Sequence, residues 1–90
     1  MINQNSRDIL FSEYYAQWIS VYKEGAIRKV TMSKYHMTHF WLKRIMPNLL
    51  IGDLNRTLYQ QILNEYAIYH ERQTTMDFHH QLKGAILDAI

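Results

Sequence analysis

Apolar residues return at three- and four-residue steps in four separate windows of this chain, and in none of them do they alternate with polar residues. That period makes one side of an α-helix apolar, whereas a half-buried strand needs a period of two. The first window, 9–24, carries Phe11, Tyr14, Tyr15, Trp18, Val21 and Tyr22 on one side and Glu13, Gln17, Ser20 and Glu24 on the other. It reads as an amphipathic helix with an aromatic inner face. Asp8 is its candidate N-cap, residues 1–7 are expected to fray, and Gly25 closes it by taking the left-handed conformation that glycine adopts most cheaply.

Thr31 is placed to cap a second helix over 32–46, which Pro47 stops by disfavouring helical geometry at the residue before it. Its inner stripe is Tyr35, Thr38, Leu42, Ile45 and Met46, with Ser33, His36, Met37, Phe40, Lys43 and Arg44 opposite. Leu49, Leu50 and Ile51 then tuck under the core, and Asn55 caps a third helix over 56–69 with Leu58, Ile62, Leu63 and Tyr66 inward. The link His70 to Gln73 is short, so the fourth helix, 74–89, should run antiparallel to the third. Thr74 or Thr75 caps it. Phe78, Leu82, Ala85, Ile86 and Ala89 face in, and Met76, His80, Lys83, Gly84 and Leu87 face out. The prediction is an all-α, compact four-helix bundle with its core centred on Trp18, Tyr35, Leu42, Ile62 and Leu82.

Ninety residues, 48% of them apolar, suffice for one hydrophobic core and not for two. No apolar run approaches the roughly 18 to 20 residues that span a bilayer, and the amino terminus lacks a signal-peptide layout. The expectation is a chain that neither crosses a membrane nor is secreted. The absence of cysteine excludes disulfides and thiolate metal sites and fits a reducing cytoplasm.

Charge is distributed unevenly. Lys23, Arg28, Lys29, Lys34, Lys43 and Arg44 face a single acid, Glu24, so 23–44 carries six cations less one anion, +5, where the whole chain carries +2. Cations at a helix entrance oppose the helix dipole, yet they suit an anionic ligand that can also use the free N–H groups there. Arg28, Lys29, Thr31, Ser33 and Lys34 are therefore candidate contacts to a phosphate backbone. On the fourth helix Thr74, Thr75, His79, His80 and Lys83 form a second candidate set, able to reach phosphates or base edges from a groove. His36 and His39 have a spacing that metal sites use, but without cysteines or a convergent carboxylate cluster no metal site is expected. The tyrosines Tyr14, Tyr15, Tyr22, Tyr35 and Tyr66 fall on inner stripes and read as core. No phosphate loop, paired carboxylates or nucleophile constellation is present, so this stretch is expected to catalyse nothing and to need no cofactor.

The order of these residues resembles the core-binding domain of phage and transposon integrases of the tyrosine recombinase family. The resemblance runs through Phe11, Tyr14, Trp18 and Tyr22, then Thr31 and Tyr35, then Ile45 and Pro47. It continues in Asp53-Leu54-Asn55-Arg56, Tyr59-Gln60, Leu63-Asn64, Thr75-Met76, His80, Leu82-Lys83, Ala85-Ile86 and Ala89-Ile90. It implies a SAM-like helical domain over 9–90 that grips the core recombination site of double-stranded DNA during integration and excision. It also implies a catalytic domain elsewhere in the same full-length chain, which would be the recombinase proper, so that this monomeric piece does no chemistry. A reading of a different class is a helical protein-interaction domain in which Met37, Phe40 and Leu87 bind another protein and the basic face is incidental. Salt separates the two, because phosphate binding releases counterions and an apolar contact does not.

Overall fold

In the computed structural model, which describes residues 8–89, four helices carry the chain: α1 Phe11–Tyr22, α2 Lys29–Ile45, α3 Arg56–Ile68 and α4 Arg72–Ala89, with a 3₁₀ turn at Ile51–Asp53 before α3. The expectation for 1–7 lies outside the described residues. The all-α four-helix bundle is as expected, but three helix entrances are not where the hydroxyl and carboxylate caps suggested.

Asp8 does not cap α1. The helix starts behind Leu10, and the Phe11 N–H, which the helix itself leaves unpaired, donates to the Leu49 carbonyl at 2.8 Å. The Ile51 N–H returns a bond to the Ile9 carbonyl at 2.9 Å, so one antiparallel bridge, Leu10 with Leu50, clips the start of α1 to the loop after α2. Thr31 lies inside the first turn of α2, because Arg28 takes the cap position in extended geometry and its carbonyl accepts from the Met32 N–H at 2.9 Å. Met32 is buried on the same side of α2 as Thr38 and half-buried Tyr35. Thr74 and Thr75 are likewise interior to α4. The Glu71 carbonyl accepts from the Thr75 N–H at 3.0 Å and from the Thr75 hydroxyl at 2.9 Å, so the entrance is at Glu71.

Other punctuation follows local chemistry. The Asn55 side chain accepts from the Leu58 N–H at 2.8 Å, capping α3 as expected. Gly25 takes φ +79° in the turn after α1, which itself ends at Tyr22. Met46, ahead of Pro47, has left helical geometry at φ −134° and ψ 67°.

The core joins Phe11, Tyr15, Trp18 and Ile19 of α1 to Leu42, Ile62, Tyr66, Phe78, Leu82 and Ala85. Tyr35 is at its edge and half-buried. Val21 and Tyr22, read as inner, are exposed, since the stripe on α1 outruns the neighbours that could cover it. Gly84, read as outer, faces Trp18: a Cβ there would stand 3.3 Å from the indole, so glycine permits the close approach of α4 to α1.

Cross-contacts fix how α2 and α4 lie. Tyr35 meets Trp18, which meets Gly84; the Thr38 hydroxyl donates to the Gln81 side chain; Trp41 meets Tyr66, which stacks on Phe78. Ascending α2 descends α4, so the two are antiparallel. Where α2 begins, α4 ends.

The Tyr15 hydroxyl is buried beside Thr38, whose own hydroxyl is turned to the Lys34 carbonyl and Gln81; Thr38 stands near enough to hold back the rise of the phenol's pKa, but it is outside good hydrogen-bonding geometry. Burial above all drives its pKa upward, with the neighbouring Tyr35 adding to the shift. A desolvated, unpaired hydroxyl opposes folding, so Tyr15→Phe should leave stability unchanged or raise it by about 1 kcal/mol. Urea denaturation checks this, and a loss of about 1 kcal/mol or more would mean that the hydroxyl has a partner after all.

Candidate nucleic-acid interface

The α2 entrance gathers the first candidate set on an open surface. Arg28, Lys29, Thr31, Ser33 and Lys34 are all exposed, and the first turn of α2 contains no acid. Because the Arg28 carbonyl accepts the first helical bond, the N–H groups of Lys29, Val30 and Thr31 have no partner within the helix. Thr31 thus contributes a free N–H as well as its hydroxyl, a different role from the cap expected of it. A shallow recess lined by Gly25, Ala26, Ile27, Arg28 and Thr31 lies in front of these donors. Lys23, the remaining cation of this end, is engaged: its ammonium lies 5.2 Å from the Trp18 ring centre and 5.6 Å from that of Tyr35.

The second candidate set is split by the antiparallel register. Thr74 and Thr75 are half-buried at the end of the bundle away from Arg28, roughly 20 Å along the helix axes at 1.5 Å per residue. The Thr75 hydroxyl is already committed to Glu71. Two hydroxyl-bearing entrances do not form one surface here. His80 is exposed on the outer side of α4, with its ring 5.5 Å from that of His79, so it is not gathered with the α2 entrance. His79 and Lys83 instead line a trough toward α3.

His79 is held by Tyr59, whose hydroxyl lies 2.7 Å from His79 Nδ1 and 3.3 Å from its carbonyl oxygen. Burial pushes the Tyr59 phenol up to about 12, and burial chiefly raises Tyr14 and Tyr66 as well, so these phenols stay protonated. Burial, then the charge fields of His80 and Lys83, hold the His79 imidazole below its ordinary value. His39 is lowered too, by burial first and then by Lys43 and His36.

A histidine whose folded pKa is depressed binds fewer protons folded than unfolded. Its contribution to stability is therefore complete above the unfolded value, about 6.5, and is lost as pH falls through the folded one. Urea midpoints should fall between pH 7.5 and about 5.5, and a His39→Gln/His79→Gln variant should show a flatter profile over that window. An unchanged profile in the variant would assign the loss to other groups.

Among the described residues no group of three or more histidine, aspartate or glutamate side chains converges as metal ligands would. His36 and His39 do not acquire further ligands from other helices. No described helix is long and apolar enough to cross a membrane.

An aromatic shelf that the sequence reading missed stands at the other end of α2. Trp41 meets Tyr66, Tyr69 and His70 at ring-centre distances of 5.8, 6.1 and 4.8 Å, Phe40 abuts its edge, and the Arg44 guanidinium lies 5.7 Å from its ring. Phe40 therefore has a partner on its own helix. Leu87 lies on the trough near the end of α4, beside the start of α2, so Phe40 and Leu87 do not share one patch.

The fold and the cationic entrance define a small all-helical domain with an open, donor-rich basic end. Neither a family model nor a curated protein sequence matches the chain. Among solved structures, the N-terminal domain of the prophage pi2 protein 01, an integrase from Lactococcus lactis, matches it with a TM-score of 0.82 at 37% identity, over 84% of this chain and 72% of that one. The chain belongs to the family of phage-integrase N-terminal domains, the family that its residues resemble.

Proposed function

We propose that this chain is the DNA-gripping module of a site-specific tyrosine recombinase, acting in the cytoplasm on the core recombination site from one side of the duplex while the catalytic domain of the full-length protein takes the other. Its membership among integrase N-terminal domains carries the reading. The α2 entrance supports it, with Arg28, Lys29 and Lys34 exposed around N–H groups that have no partner within the helix, and no acid in the turn. These groups suit phosphate oxygens, which accept from side-chain cations and helix-terminal N–H groups alike. Ser33 and Thr31 extend the same surface.

Phosphate contacts position a protein on DNA without reading sequence. The 90-residue chain alone should therefore bind duplexes weakly, discriminate little between them and lose affinity steeply with salt, because half a clamp forfeits the effective concentration that linkage supplies. Fluorescence anisotropy on two unrelated duplexes over a salt series tests this. Tight, sequence-selective binding would contradict the shared grip, and salt-independent binding would favour an apolar protein-interaction surface.

A further inference from the structure

α1 packs on α2 and α4, and α3 packs on the same two helices, while α1 and α3 make no comparable contact with each other. They stand as walls on either side of α4, and the space between them is a trough. His79, Lys83 and Ile86 belong to α4 and recur at four- and three-residue steps, forming one stripe that serves as the floor. Val21 of α1 and Leu87 of α4 stand on its rim with 72% and 59% of their surface exposed. We infer that this trough is a docking site for an amphipathic helix of a partner protein, apolar on one face and acidic along its edges.

The shape argues for a helix. A groove between two helices, floored by a third, receives the ridge of a further helix, whose own apolar residues at i, i+3 and i+4 would meet Val21, Ile86 and Leu87. Charge decides which helix. Arg56 and Lys83 line the trough, and Asp88 is the only acid among the described lining residues. Its carboxylate already accepts the Trp18 Nε1–H at 2.8 Å. The lining thus sets two cations against one anion that is held toward Trp18, a balance that favours carboxylates on the occupant over lysines. A duplex could use the cations but would leave Val21 and Leu87 uncovered, since a phosphate backbone offers them nothing apolar. The inference stands apart from the DNA reading, which rests on the α2 entrance.

The test uses the whole 90-residue chain. The probes are a synthetic amphipathic peptide of about 15 residues, four turns of helix, with leucine on one face and glutamate along both edges, and its counterpart with lysine at each glutamate position. Amide chemical-shift mapping should place the glutamate peptide at Val21, Tyr59, Lys83, Ile86 and Leu87, with the lysine peptide at least about tenfold weaker. Val21→Gln/Leu87→Gln should weaken the glutamate peptide about tenfold while leaving duplex affinity unchanged. Lys83→Glu, at an exposed position, should cost the glutamate peptide about fivefold, the upper worth of one exposed ion pair, and should favour the lysine peptide. Equal binding of both peptides, or shifts outside the trough, would overturn the inference. Concentration-dependent shifts at the trough without peptide would overturn it too, by assigning the surface to a second copy of the chain.

Discussion

Phe78→Ala should cost about 3 to 5 kcal/mol, a large fraction of what a domain of this size possesses. Phe78 is 1% exposed, and its ring lies flat on Tyr66 at 3.8 Å between centres with 5° between planes. Tyr66 in turn stacks on His70 at 3.8 Å and meets Trp41 at nearly a right angle, so the Phe78 ring closes a stack that joins α3, α4 and α2. Truncation forfeits both the buried area and the stacking, and leaves a cavity between aromatic planes that cannot collapse without tilting. Phe40→Ala is the matched control. That ring is 52% exposed on the edge of Trp41, and its loss should change stability by about 0.5 kcal/mol or less. Urea denaturation followed by circular dichroism measures both. Equal losses would mean that the Phe78 ring is not the buried closure of the stack.

The inner stripes of α2, α3 and, as far as Ile86, α4 were legible because burial follows period, whereas Ala89, read as inner, is exposed. Leu42, Ile62, Phe78 and Leu82 occupy the positions a 3.6-residue repeat assigns them, and each is fully buried or nearly so. Asn55 was legible as a cap because an asparagine ahead of an apolar stripe has a local partner three residues on. Thr31, Thr74 and Thr75 misled for the converse reason. A hydroxyl cap contributes about 1 kcal/mol, and in α2 it is not used: Arg28 takes the cap position in extended geometry and the helix starts two residues before Thr31. In α4 it yields to the Glu71 carbonyl, which takes both the N–H and the hydroxyl of Thr75. Gly84 could not be placed without knowing that Trp18 would lie against it. The cations of the candidate interface were visible as a charge run, but their grouping was not. Only the antiparallel register of α2 and α4 separates Thr75 from Arg28 and turns His79 and Lys83 toward α3. The trough was invisible for the same reason, since it arises because α1 and α3 pack on α2 and α4 rather than closely on each other, which no residue pattern encodes.

Replacing Arg28, Lys29 and Lys34 together by alanine should lower the slope of log affinity against log salt for duplex binding by about 2.7, three phosphate contacts at roughly 0.9 released counterion each. The expectation rests on geometry. All three side chains are exposed at the α2 entrance, beside first-turn N–H groups that have no partner within the helix, with no acid in that turn to neutralise them. Stability should hold or rise slightly, because cations at a helix N-terminus oppose its dipole and none of the three is buried. Lys23 is unsuitable as a control, since its ammonium packs over Trp18 and Tyr35 and its removal would disturb the core edge. Lys43 serves instead: it is exposed in the last turn of α2, at the far end of the same helix. Lys43→Ala should leave the slope unchanged. The measurement is a salt titration of duplex binding for the native chain, the triple variant and the control, with helicity verified in each. A triple variant that keeps the native slope would remove the α2 entrance from the DNA-facing surface. A control that loses as much per charge would show that affinity follows net charge rather than this arrangement of groups.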